Sequence, residues 1–72
     1  MKVKYYKDTD SLYIDLSENT SVESNEISEG IVLDYDAEGK LVGIDIDNAS
    51  TKVALEKLIV SQLPGPVETD AA

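Results

Sequence analysis

Asp34, Asp36, Glu38, Gly39 and Asp45 stand at the spacing of a calcium-binding loop, with acids at positions one, three and five, glycine at six and an acid at twelve. Such a loop wraps its oxygens around the ion between two flanking helices. Here the flanks Ile31 to Tyr35 and Leu41 to Ile46 alternate apolar and polar residues as strands do, and Val42 sits where a polar or water-binding residue is usual. Strand geometry puts Asp34 and Asp36 on one face without wrapping them, so the reading is an acidic hairpin turn, with a divalent-metal-binding protein as the minor alternative. Asp8-Thr9-Asp10 invites the same thought, and the same objection applies, because short acidic turns bond their own backbone and face solvent. Paired carboxylates do acid and base work only in a cleft that raises one of their pKa values, and a small sheet offers little volume for one. The chain has no histidine and no cysteine. That removes the usual general base, thiol nucleophiles and the ordinary zinc ligands, so no catalytic residue and no cofactor are expected.

The elements that position these acids read clearly in the middle of the chain. Ile31/Leu33/Tyr35 and Val42/Ile44/Ile46 are alternating runs on either side of Glu38-Gly39, a hairpin signal. With Glu38 and Gly39 as central turn residues, Tyr35 falls opposite Val42, Leu33 opposite Ile44 and Ile31 opposite Ile46, so six apolar side chains share a face. A one-residue slip would set Asp34 against Val42 and spoil it. Glu38 is a poorer left-handed residue than Asn or Asp, which leaves a longer loop containing Gly39 as the alternative.

Lys2 to Tyr6 reads as an edge strand and Leu12 to Leu16 as its hairpin partner, with the loop at Asp8-Thr9 or Thr9-Asp10. Ser21 to Ile27 reads as a weak edge strand before the turn at Ser28-Glu29-Gly30. Beyond Asp47 the period changes: Leu55, Leu58, Ile59 and Gln62 follow helical spacing, Asn48, Ser50 and Thr51 are candidate N-caps, and Pro64-Gly65-Pro66 stops the run. Residues 59–63 could instead begin a terminal strand. The expected fold is thus α+β, a small antiparallel meander of four to five strands with one C-terminal helix on its apolar face. Residues 1–63 form a single domain, and residues 64–72 are expected to be a disordered tail.

At 72 residues such a domain has a small core, and oligomerisation or a partner would add to it. The net charge of −9 argues against nucleic acid, and its distribution is uneven: Asp8 to Asp47 holds twelve acids against the single Lys40. The N-terminus leads into no apolar signal-type segment and no stretch approaches membrane-spanning length, so the reading is a cytoplasmic protein without membrane contact. On the sheet face away from the helix, strand alternation collects Tyr6, Tyr13, Asp15, Val32, Asp34, Leu41 and Asp45, apolar anchors among acids. These are the candidate partner-binding residues, with a basic protein or a second copy of the chain as the partner.

The stretches K-V-K-Y-Y-K-D-T-D-S-L-Y-I-D-L and E-I-S-E-G-I-V-L-D-Y-D-A-E-G-K-L-V-G-I-D-I-D-N-A-S resemble the small prokaryotic family called domain of unknown function 2283, from about Lys2 to Ser50. Family members usually carry an arginine or lysine just after the Asn48-Ala49-Ser50 segment, which Thr51-Lys52 matches approximately. The resemblance assigns no catalytic residues. It implies a similarity to the antitoxin halves of two-gene modules, found beside small basic, ribonuclease-like partners.

Overall fold

A computed structural model of the chain describes residues 1–55, 61, 64 and 68–71. Five strands, β1 (Lys2–Tyr6), β2 (Ser11–Asp15), β3 (Glu23–Ser28), β4 (Ile31–Tyr35) and β5 (Leu41–Ile46), form an open antiparallel sheet. β6 (Glu68–Ala71) lies parallel to β1 and gives the spatial order β3-β4-β5-β2-β1-β6. This is not the simple meander expected, because β2 pairs with β5 rather than β3. The reason lies in the side chains on offer. β5 presents Ile44 opposite Ile14 and Ile46 opposite Leu12, whereas β3 is Glu-Ser-Asn-Glu-Ile-Ser and has little apolar surface to give.

The registers build two apolar rows on one face. Val3, Ile14, Ile44 and Leu33 lie side by side across β1, β2, β5 and β4, and Tyr5, Leu12, Ile46 and Ile31 form the next row. Leu33 stands opposite Ile44, as parity requires. The connection between β4 and β5 is the longer loop: Gly39 N–H donates to the Asp36 carbonyl at 3.0 Å and Asp36 N–H to the Lys40 carbonyl at 2.9 Å, with Gly39 at φ 79°. A three-residue loop shifts the register by one. A bulge at Val42 shifts it back, so Tyr35 pairs with Leu41, Asp34 pairs with Gly43, and Val42 turns inward at 3% exposure. Tyr6 opposite Ser11 centres the first hairpin on Asp8-Thr9.

The C-terminal helix is not found at its expected start. Ala49–Thr51 makes a single 3₁₀ turn. Asn48 sits in the left-handed region with no side-chain cap, and Ser50, the second candidate cap, gives its N–H and hydroxyl to the Asp10 carboxylate at 3.1 and 2.6 Å. Those groups and the Ala49 N–H, given to the Asp10 carbonyl, hold the segment against the β1–β2 loop as a single turn. Thr51, the third candidate, donates its hydroxyl to the Asn48 carbonyl. Leu58, Ile59 and Gln62, on which the helical spacing rested, lie outside the described residues. Glu68–Ala71, expected within a disordered tail, form β6.

Gly39→Ala should cost about 1 kcal/mol, because the positive φ strains any side chain although no atom lies within 4 Å of the new Cβ. Val42→Ala should cost roughly 2 kcal/mol, since Val42 is among the few buried apolar residues, while Leu41→Ala, at 37% exposure, should cost far less. Urea unfolding of the three variants tests the loop and bulge together: equal losses at Val42 and Leu41 would contradict the inward turn of the bulge.

Candidate functional site

Alternation along β2, β4 and β5 carries a second set of side chains to the face opposite the apolar rows. Tyr13, Asp45 and Val32 stand in one cross-strand line, and Asp15, Gly43 and Asp34 in the next. Gly43 has a positional reason. A Cβ there would come within 2.6 Å of Tyr13 Cζ and still closer to the hydroxyl oxygen, so the tyrosine ring lies over the bare glycine. From that seat the Tyr13 hydroxyl donates to Asp34 Oδ2 at 2.9 Å, while Ser24 on β3 donates its hydroxyl to Asp34 Oδ1 at 2.6 Å.

Tyr6 and Tyr13, with Thr9, Ser11, Asp34 and Asp45, line an open depression on this face. The structure therefore brings together six of the seven candidate residues, Tyr6, Tyr13, Asp15, Val32, Asp34 and Asp45. Leu41 is the exception: it lies beyond the bulge, opposite Tyr35, where the simple alternation that would place it among the acids is broken. Three participants were not singled out from the sequence. Ser24 is silent until pairing shows that it sits beside Asp34. Lys2 and Lys4 also belong to the face, opposite Asp15 and Tyr13, with Glu68 and Asp70 of β6 in register on their other side.

Burial and crowding set the electrostatics. The Tyr13 hydroxyl is pushed up to about 12, first by burial and then by its hydrogen bond to Asp34 and the charges of Asp34, Asp15 and Asp45. Asp45 is raised above the ordinary carboxylate value by burial and by the charges of Asp47 and Asp34. The turn acids behave oppositely. Asp36, 7% exposed, accepts the Lys40 and Glu38 N–H groups at 2.9 Å each on Oδ1 and the Asn19 amide at 3.0 Å on Oδ2, and these bonds hold its carboxyl low. Asp10 is held low by the Ser50 and Tyr5 hydroxyls.

The carboxylates at the calcium-like spacing are thus divided between tasks. Asp36 caps its own turn, Asp34 holds Tyr13 and Ser24, and Glu38 pairs with Lys40 at 3.5 Å on the exposed tip. Among the described residues no three acidic side chains converge into a metal-holding group. Among them, too, no helix is long and apolar enough to cross a membrane.

The family model described as "Protein of unknown function (DUF2283)" matches residues 2–50, more than half of the chain. The chain belongs to this family. No curated protein and no solved structure matches it. The family segment has a structural boundary, because it closes on Ser50, the residue whose N–H and hydroxyl Asp10 captures. It contains the five antiparallel strands, the four connections between them and the whole candidate face.

Opposite pH responses follow from the two groups of acids. Asp10 and Asp36 have depressed folded values, so their contribution is present at neutral pH and is lost as pH falls below the ordinary carboxylate value toward those lower ones. The raised Asp45 works the other way, its charged form costing stability above its folded value. Asp45→Asn should therefore raise the melting temperature at pH 7, and Asp36→Ala should lower it. Thermal melts at neutral and acid pH check both signs. A double-mutant cycle of Gly43→Ala and Tyr13→Ala should show strong coupling, with Gly43→Ala costing about 1–3 kcal/mol in the parent and much less once the ring is gone.

Proposed function

We propose that this chain is a non-catalytic protein-binding module of the cytoplasm, whose acidic face docks a basic partner in the manner of an antitoxin covering a cationic surface. The observation that carries the reading is the gathering of Asp15, Asp34 and Asp45 on three neighbouring strands around Tyr13 and Val32. Like charges on adjacent strands repel by a few tenths of a kcal/mol per pair. The raised value of Asp45 registers that repulsion together with burial. A cationic surface laid on the face relieves the repulsion, and Tyr13 and Val32 offer it amphipathic and apolar contact. Charge of this kind acts mainly on encounter rate and on choice of partner, so salt should weaken the association.

A second reading, self-association, is supported by the sparse core. Among the described residues the buried apolar side chains are Val42 and Ala49, and no large side chain is fully buried. Sedimentation at rising concentration separates the two readings, because a monomer at all concentrations removes the second.

For the first reading the test is a titration with oligolysine followed by amide chemical shifts. Shifts should concentrate at Tyr13, Asp15, Val32, Asp34 and Asp45, and the triple variant Asp15→Asn, Asp34→Asn, Asp45→Asn should bind more weakly and with a shallower salt dependence. Shifts spread evenly over every carboxylate of the chain would sink the docking face. The triple variant should keep the fold or melt higher.

A further inference from the structure

The sheet has two edges, and they are built differently. At one end β1 alternates Lys2 and Lys4 with Val3 and Tyr5, and β6 runs along it. At the other end, among the described residues, β3 has β4 as its single neighbour, and each of its six residues is exposed. Natural sheets blunt free edges with lysine, proline, bulges or cover. From Ser21 to Gly30 there is no lysine and no proline; a bulge between Glu26 and Ser28 interrupts the far end of β3 and leaves Glu23 to Glu26 regular. Val22 and Ile27, at either end of that run, are 62% and 58% exposed.

What would pair there is narrowed by charge. Glu23 and Glu26 lie on the strand, Glu18 and Glu29 on the segments leading in and out, and no cation occurs in the chain from Asp8 to Gly39. Antiparallel pairing with a second copy would place four glutamates in one short ladder, with like charges opposed or adjacent. A strand carrying lysine or arginine on alternate positions meets complementary charge instead. It also continues the sheet beside Ser24 and Glu26, which are opposite Asp34 and Val32 on the docking face.

We propose that the free edge of β3 receives an extended, lysine- or arginine-bearing strand of the basic partner, joined by backbone hydrogen bonds, with Val22 and Ile27 as apolar contacts at its two ends. This rests on the reading that the partner is cationic, and it adds that recognition uses the backbone edge as well as the charged face. Asp34, beside Ser24, with Glu23 and Glu26 on the strand itself, directs a cationic chain to this edge.

The test uses two probes on the full chain: a peptide of alternating lysine and valine, and a peptoid carrying the same side chains on its nitrogens, which has no backbone N–H. Strand addition requires the peptide to bind at least roughly tenfold more tightly than the peptoid, with slowed amide exchange within Glu23 to Glu26. Ser24→Pro, which removes an N–H that points to the edge, should abolish the difference, and if that variant does not fold, the two probes on the parent protein still decide. Equal binding of both probes, with shifts confined to Tyr13, Asp15 and Asp45, overturns the edge proposal and leaves the face intact. Peptide-selective binding that survives the triple asparagine variant does the reverse. A parent dimer that Ser24→Pro dissolves and the peptide does not compete would assign the edge to a second copy and overturn the proposal. Binding of neither probe overturns both.

Discussion

The Asp36 carboxylate sets the geometry on which the rest of the sheet depends. Its Oδ1 holds the Glu38 and Lys40 N–H groups and so fixes an odd-numbered loop between β4 and β5. An odd loop alone would leave every later residue of β5 on the wrong face. The bulge at Val42 absorbs the extra residue, after which Gly43 lies under Tyr13 and Ile44 and Ile46 return to the apolar rows. The same carboxylate takes the Asn19 amide through Oδ2, in the segment that carries the chain from the end of β2 to the far edge at β3. That segment is also stitched by Leu16 N–H to the Val42 carbonyl and Val22 N–H to the Tyr35 carbonyl, both at 2.9 Å. One acid therefore couples the turn, the bulge and the crossover that makes the strand order differ from the chain order.

A second carboxylate does comparable work at the other end of the sheet. Asp10, left-handed at φ 52°, accepts from Tyr5 at 2.7 Å on the apolar side and from Ser50 on the strand-free segment, and its carbonyl takes the Ala49 N–H. Ala49 is fully buried in consequence. Lys52 reaches back to the Asp47 carbonyl, closing the short turn on itself. In a domain with so few buried apolar residues, these polar ties between distant loops replace part of what a larger core would do.

Much of this was legible because strand alternation is a local signal. The parity of Ile31, Leu33, Ile44 and Ile46 can be satisfied only by keeping Leu33 opposite Ile44, and the grouping of Tyr13, Asp15, Val32, Asp34 and Asp45 follows from the same alternation. What failed depended on partners remote in sequence. The bulge needs Asp36 to be a turn cap, and nothing local distinguishes it from Asp34; Leu41 was misplaced for that reason. The helix expected after Asp47 rested on propensity and spacing; its expected start is a single 3₁₀ turn held to Asp10, forty residues away, and Leu58, Ile59 and Gln62 lie outside the described residues. The order of strands turned on which neighbour offers more apolar surface, a comparison between β3 and β5 that no single window contains.

Hydrogen bonding separates the acids of this chain into two kinds. Asp10 and Asp36 are ringed by donors, and their charged forms are favoured, so each contributes to the fold whether or not anything binds. Asp45 is half-buried, faces Asp34 and Asp47, and pays for its charge in the free protein. An acid of the first kind has a sufficient structural reason to be there. One of the second kind does not, because asparagine would fit the same strand position without the repulsion. Net charge alone could be supplied at any exposed site, such as the tip where Glu38 pairs with Lys40. Asp45, opposite Tyr13 and within the field of Asp34, costs stability in the free protein, and a cation laid on the face, as proposed, would recover it.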